Sequence, residues 1–129
     1  MSKNGVGHFQ TKGSLNGRPI SVLIDTGASS TVFNFNLARE MNLPMTKLSM
    51  FGGGAGAAKL EIHQIQDARF VVGNVAPQIR ALLAIDLTHV NQAGALKGLL
   101  PIDAVLGADA LETHAAVIDY GSSSLYLKI

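Results

Sequence analysis

Residues 23–29 are Leu-Ile-Asp-Thr-Gly-Ala-Ser, and they continue an apolar, β-branched stretch that begins at residue 20. That stretch predicts a buried strand, and the strand pattern breaks at Asp25. A carboxylate therefore lies at the C-terminal end of an apolar strand, and a hydroxyl-bearing residue and a glycine follow it. Gly27 lets the backbone approach the carboxylate and offers it an N–H donor. An ordinary turn that starts with Asp is the competing interpretation, because such turns are common after strands.

Two further stretches stand out along the chain. Residues 104–107, Ala-Val-Leu-Gly, predict a short buried strand that ends at a glycine. Residues 52–56, Gly-Gly-Gly-Ala-Gly, lie between two strand-like segments. A phosphate-binding loop would end in Gly-Lys-Ser/Thr and open a helix. This loop is instead followed by residues 60–72, which predict one strand. It is therefore predicted to be the tip of a hairpin, either a mobile one or a plain flexible turn.

Taken in order, these features resemble the retropepsin-like aspartic protease family, of the single-domain, bacterial or cellular type. That family has an apolar strand running into Asp-Thr-Gly-Ala, a glycine-rich flap hairpin, and two apolar residues plus Gly near the C-terminus. The corresponding segments here are residues 22–28, 50–58 and 105–107. Residues 16–19, Asn-Gly-Arg-Pro, predict a hairpin turn and also look like the bacterial members. Residues 107–111 look more like the bacterial and cellular members than the viral ones.

The resemblance implies a mostly β fold, a single-domain closed β-barrel-like acid protease with a flap hairpin and one or two short helices. Fourteen glycines scattered among short apolar segments favour the same β class. We expect residues 1–6 to form an N-terminal tail and residues 7–129 to form the protease domain. The 129 residues are too few for a two-lobed enzyme and contain one Asp-Thr-Gly, so the second carboxylate must come from a symmetric partner. The predicted active unit is a homodimer.

The resemblance also assigns roles to individual residues. Asp25 would be the catalytic carboxylate, and two close carboxylates share one proton, as is known for aspartic proteases in general. Thr26, Gly27 and Ala28 would support the active site. The predicted substrate-binding residues are Ser29, Phe51, Gly52, Gly53, Gly54, Ile102 and Val105. The predicted activity is that of an aspartic endopeptidase, in which water activated between two Asp25 carboxylates hydrolyses a peptide bond. The alternative function is a catalytically idle domain that dimerises or binds peptides.

The chain departs from the viral members of the family in two places. Viral enzymes often carry an acidic residue after Asp-Thr-Gly-Ala, which grips the substrate backbone, but Ser29 occupies that position here. The cleavage preference therefore does not follow from the resemblance. Residues 81–101, which include a predicted helix, form a longer segment than viral enzymes have. Two interpretations remain open: this segment reshapes the substrate pocket, or it only covers the outside of the fold.

Composition excludes several other classes of function. The formal net charge is +1 and aromatic residues make up 5% of the chain, so neither nucleic acid nor an anionic membrane is favoured as a partner. Cysteine is absent, which excludes disulfides, thiol nucleophiles and thiolate metal sites. The four histidines lack the spacing of metal ligands; they are His8, His63, His89 and His114. We expect no metal or organic cofactor, and a peptide or protein as substrate.

Two questions stay open from the sequence. Asp86, Asp103, Asp109 or Asp119 could pair with Asp25 within one chain, although caps and turns explain the first two more simply and fold-specific hydrogen bonds the other two. The compartment is also undetermined. No apolar run reaches the roughly 20 residues of a membrane helix, which predicts a soluble domain without a membrane partner in this segment. It would be cytoplasmic if Met1 is the native start, and periplasmic or exported if it derives from a longer chain.

Overall fold

A computed structural model describes residues 1–3, 8–52 and 60–129 of the chain. Within these ranges the protein is mostly β, with three short helices where the sequence predicted one or two. The elements in chain order are β1 (Ser2–Lys3), β2 (Phe9–Leu15), β3 (Arg18–Ile24), β4 (Val32–Asn34), α1 (Phe35–Glu40), β5 (Met45–Gly52), β6 (Leu60–Ile65), β7 (Phe70–Val72), β8 (Leu82–Ile85), α2 (Thr88–Leu96), β9 (Ala104–Leu106), α3 (Ala108–Thr113), β10 (Val117–Asp119) and β11 (Ser124–Tyr126).

The first hairpin, β2–β3, forms around the turn that the sequence predicted. Asn16 and Gly17 both have positive φ, 49° and 81°, which suits a tight two-residue turn between antiparallel strands. The strands pair along their whole length, from Leu15 opposite Arg18 to Phe9 opposite Ile24. Strand β3 is therefore paired up to its last residue, Ile24, and Asp25 follows directly after it.

A nine-stranded sheet contains nine of the eleven strands in the described ranges, in the order β1-β2-β3-β9-β4-β8-β6-β5, with β7 added beside β2. Strand β9 lies at its centre, parallel to β3 and antiparallel to β4. Strand β4 is in turn parallel to β8. In the part of the chain that the structure describes, β1 and β5 do not pair with each other. Closure of the sheet into a barrel therefore stays a prediction.

Strands β5 and β6 form the antiparallel hairpin on which the sequence analysis places a flap. Their register runs from Met45 opposite Ile65 to Gly52 opposite Leu60, with an irregularity between Leu48 and Phe51. The predicted hairpin is thus present up to residue 52 and again from residue 60. Its glycine-rich tip, including the predicted substrate-binding residues Gly53 and Gly54, lies outside the described residues.

The main core lies between the sheet and helices α1 and α3. Its largest fully buried apolar side chains are Phe33, Leu15, Leu106 and Val22. The Phe33 ring meets the Phe70 ring edge to face, with 4.8 Å between their centroids. Burial of such side chains is the dominant favourable contribution to folding, at about 1.5–3 kcal/mol for each large one. This core supports β9, the strand against which the Asp25 turn is built.

The C-terminal segment forms a separate two-stranded sheet, β10–β11. Leu125 and Leu127 pack against the main core, whereas the Ile129 side chain is fully exposed. The alternation of residues 125–129 predicts a strand with these three side chains on one face, but β11 ends at Tyr126. No helix in the described ranges is long and apolar enough to cross a membrane.

Candidate active site

The Asp25 turn is attached to the end of β9. Ile24 lies opposite Leu106 in the parallel pair β3–β9, and the Asp25 N–H donates to the Leu106 carbonyl at 3.0 Å. The Gly27 N–H donates to Asp25 Oδ1 at 2.9 Å. This is the contact that the sequence predicted for Gly27. The Asp25 side chain is nevertheless exposed in a single chain, as are Thr26 and Ser29, so the carboxylate is held in place but open to a substrate or a partner.

Residue 107 must be a glycine because the backbone of Ala28 and Ser30 passes very close to it. An added Cβ at Gly107 would lie 2.7 Å from the carbonyl carbon and oxygen of Ser30 and 2.8 Å from the Ala28 oxygen. Real side chains essentially never approach backbone atoms that closely. The adjacent Ala108 N–H donates to the Ala28 carbonyl at 2.6 Å. The glycine after β9 therefore allows the Asp25 turn and the start of α3 to pack backbone against backbone.

A fully buried hydroxyl, Thr31 Oγ1, joins the same segments. It donates to Asp109 Oδ1 at 2.7 Å and accepts from the Gly107 N–H at 3.0 Å. The Thr31 N–H also donates to the Asp109 carboxylate, with both N···O distances 3.0 Å. The Asp109 carboxylate therefore forms the fold-specific hydrogen bonds that the sequence predicted for it, and these bonds hold the backbone that follows the Asp25 turn. The sequence did not single out Thr31, because a lone threonine at the start of a strand carries no distinguishing signal.

An apolar surface flanks the Asp25 turn. Leu87, Ile102 and Val105 are buried together, and four partly buried side chains pack against them: Leu23, Ala28, Val32 and Ile85. Three predicted site residues, Ala28, Ile102 and Val105, therefore meet in one cluster. Ser29 is exposed and is not part of it. Phe51 and Gly52 lie on strand β5.

A groove of about 410 Å³ opens beside Asp25. Leu23, Asp25 and Ile102 line it from the sheet, and residues of α2 line it from the other side. Part of the longer segment 81–101 therefore lines the groove beside Asp25. The residues contributed by this segment are Val90, Asn91, Ala93, Gly94, Lys97, Leu99 and Leu100. None of them was predicted from the sequence, since this segment carries no motif.

Helix α2 begins beside a carboxylate that is held in its ionised form. The Thr88 hydroxyl and N–H both donate to Asp86 Oδ1, and so does the Asn36 side chain, at 3.1 Å. These hydrogen bonds, chiefly those from Thr88, hold the pKa of Asp86 below its usual value of 3.8, and His89 lowers it slightly further. Asp86 therefore has its own role at the start of α2 and is not free to pair with Asp25.

Comparisons with known proteins agree with this arrangement. The family model described as aspartyl protease matches residues 11–110. An uncharacterised protein from the cobV 5′ region of a Sinorhizobium species is 28% identical over 86 residues, which cover 62% of this chain and 37% of that protein. The chain thus spans little more than a third of that relative, which also carries no described activity.

Three solved structures share the fold. The retroviral protease-like domain of Ddi1 from Leishmania major has a TM-score of 0.62 at 18% identity, over 93% of this chain and 87% of that one. A retropepsin-like aspartic protease from Rickettsia conorii has a TM-score of 0.59 at 20% identity, over 98% and 86%. The EIAV protease, solved with an inhibitor, has a TM-score of 0.58 at 18% identity, over 92% and 99%. With the family match over most of its length, the chain belongs to the aspartyl protease family and has a retropepsin-like fold.

Proposed function

We propose that this protein is an aspartic endopeptidase that acts as a homodimer, with one Asp25 carboxylate from each copy. The observation that carries the proposal is the position of Asp25: an exposed carboxylate, fixed by Leu106 and Gly27, at the edge of an apolar groove. A carboxylate held in this way is available for chemistry on a bound peptide. Membership of the aspartyl protease family supports the same reaction.

The aspartates that could have paired with Asp25 inside one chain are engaged elsewhere. Asp103 accepts from the Ser21 N–H at 2.8 Å, and Asp119 accepts from the Gly121 N–H at 2.9 Å. Asp109 is bound to Thr31, and Asp86 to Thr88. A dyad therefore requires a second copy of the chain, whose own Asp25 completes the pair.

Exposed apolar side chains near the C-terminus support the homodimer. Tyr120 is 69% exposed, Tyr126 is 56% exposed and Val117 is 58% exposed, all in or beside the β10–β11 hairpin. Side chains of this size favour burial, and a second copy offers the same surface in a two-fold arrangement. A cavity of about 300 Å³ lined by Thr26, Ala108 and Leu111 lies next to the Asp25 turn. We propose that this surface, from Thr26 to the hairpin, is the dimer interface.

The chemistry follows from two carboxylates that face one water molecule. Because like charges at close range cannot both ionise, the pair holds one proton. The ionised Asp25 acts as general base on the water, and the protonated Asp25 polarises the scissile carbonyl and then helps to protonate the leaving nitrogen. The peptide lies extended along the groove, with apolar side chains against the cluster of Leu87, Ile102 and Val105. No covalent intermediate forms.

The test is cleavage of an unfolded protein at mildly acidic pH, with and without pepstatin. Asp25→Asn should abolish cleavage while leaving the circular dichroism spectrum unchanged. Asp67→Asn is the matched control, because Asp67 is exposed and has a positive φ of 55°, which Asn tolerates. Cleavage by the Asp25→Asn protein at the wild-type rate would refute the proposal. If the wild type binds peptides but does not cleave them, the protein is instead a catalytically idle peptide-binding domain.

Dilution tests the homodimer separately. With one Asp25 per chain, specific activity should fall once the protein is diluted below its dimer dissociation constant. Sedimentation velocity at the same concentrations should show monomer where activity is lost. Full specific activity in a strictly monomeric sample would contradict the shared dyad.

A further inference from the structure

Helix α2 forms one wall of the Asp25 groove although none of its own residues is buried. Two anchors hold it on the sheet. Leu87, just before the helix, is buried against Ile102 and Val105. Asn91 makes a two-way bond to the Ile102 peptide: its Nδ2 donates to the Ile102 carbonyl at 3.1 Å, and its Oδ1 accepts from the Ile102 N–H at 2.9 Å. The wall is therefore fixed to the segment that leads into β9.

The face that α2 presents to the groove combines apolar and cationic character. Val90 lines the groove and is half exposed, so its apolar surface is available to a ligand. Lys97 lines the groove at the C-terminal end of the helix, where its backbone N–H donates to the Gly94 carbonyl at 2.9 Å. Within the described ranges the Lys97 side chain forms no ion pair. The ionisable side chains that line the groove are Asp25, His8 and Lys97.

We propose that α2 and Lys97 form a side-chain subsite of the Asp25 groove that selects Asp or Glu in an extended peptide. This rests on the proposed function, since it names the substrate class of the same groove. An ammonium that forms no ion pair with the described residues attracts a carboxylate, and the neighbouring Val90 surface packs against the aliphatic part of that side chain. The sheet side of the groove provides the apolar contacts, and α2 provides the charge that distinguishes one peptide from another.

An alternative role for Lys97 is purely local, because a cation near a helix C-terminus interacts favourably with the helix dipole. The two roles have different consequences. A local role affects only stability, whereas the subsite affects which peptides are bound and cut. The experiment therefore reads out substrate preference.

The test digests a library of peptides from an unfolded proteome and identifies the cleavage sites by mass spectrometry. The wild type should favour Asp or Glu over Gln at one position by up to about fivefold, the upper end of what one solvent-exposed ion pair contributes. Lys97→Gln should remove the preference, and Lys97→Glu should replace it with Lys or Arg. Lys12→Glu, an equal charge change at an exposed residue of β2 outside the groove lining, should leave it unchanged.

A binding measurement separates this proposal from the proposed function. Fluorescent peptides from a positional-scanning library, with Glu or Gln at the varied position, are titrated into Asp25→Asn protein with and without Lys97→Gln. Tighter binding of a Glu peptide only when Lys97 is present supports the subsite, even if the wild type cleaves nothing. Equal binding of the Glu and Gln peptides at every position, or an acidic preference that persists with Lys97→Gln, overturns it.

Discussion

The Asp25 turn and helix α2 face the same groove, but they are held in place in different ways. The turn is tied to β9 and α3 by backbone hydrogen bonds and by the buried Thr31 hydroxyl. Helix α2 buries none of its own residues and depends on Leu87 and Asn91. The groove thus has one rigid side that carries the carboxylate and one lightly attached side. Substitutions should therefore damage the first side far more than the second.

The largest difference in stability is expected between alanine substitutions of two glycines, Gly107 beside the Asp25 turn and Gly94 in α2. Gly107→Ala should lower the free energy of unfolding by about 3 kcal/mol or more, because the added methyl group collides with the Ser30 backbone at 2.7 Å. Gly94→Ala places its methyl 3.5 Å from Leu99, an ordinary contact, and should stabilise α2 by about 0.5–1 kcal/mol. Urea unfolding at one fixed protein concentration measures both. Equal losses in the two variants would remove the distinction between the sides.

Removing the Thr31 hydroxyl should have the next largest effect. Thr31→Val keeps the shape of the side chain but leaves the Gly107 N–H without a partner. It also removes one hydrogen bond to Asp109 Oδ1, which keeps those from the Thr31 and Ala110 N–H groups. Unsatisfied groups of this kind cost about 1–3 kcal/mol in the free energy of unfolding. Thr31→Ser retains the hydroxyl and should lose less than Thr31→Val. The reverse order would show that the methyl group, and not the hydrogen bonds, holds the turn.

On the α2 side, Asn91→Ala should cost about 1 kcal/mol of unfolding free energy, because its two hydrogen bonds to Ile102 are only partly buried. Its effect on peptide cleavage should be more distinctive. If Asn91 positions the groove wall, KM should rise several-fold while kcat changes little, since Asp25 and its supports are untouched. Steady-state kinetics on one peptide would show this split. A fall in kcat with unchanged KM would place Asn91 in the support of Asp25 instead.

The smallest effect concerns Asp86, at the start of α2, and it depends on pH. The Thr88 hydrogen bonds lower the pKa of Asp86 from 3.8, so the folded state favours the ionised form. This contribution is fully present above the unfolded value and is lost as the pH falls through the lowered pKa. Asp86→Asn should therefore reduce stability slightly near neutral pH, and the difference from the wild type should shrink at lower pH. Thermal unfolding across the pH range measures it. A difference that grows on acidification would contradict the assigned cause.

Local sequence was sufficient for the elements whose shape depends on their chain neighbours. The Asn16-Gly17 turn, the strand that ends at Asp25 and the Gly27 N–H bond to its carboxylate were all predicted, because turn chemistry and strand alternation act over a few residues. Longer β segments were predicted less well. Residues 60–72 were expected to form one strand, but they are divided into β6 and β7 by a turn in which Asp67 has positive φ.

The supports of the site depend on residues that meet only after folding. Nothing near Gly107 in the chain shows that a side chain there would strike Ser30, and nothing near Thr31 indicates Asp109 as its partner. In the same way, the helix in residues 81–101 could be predicted, but not that Asn91 would bind Ile102 or that Val90 and Lys97 would line the same groove as Asp25. Residue types and local spacing set backbone conformation and the presence of the carboxylate. The shape and charge of the groove come from long-range packing, since its two walls are contributed by segments far apart in the sequence.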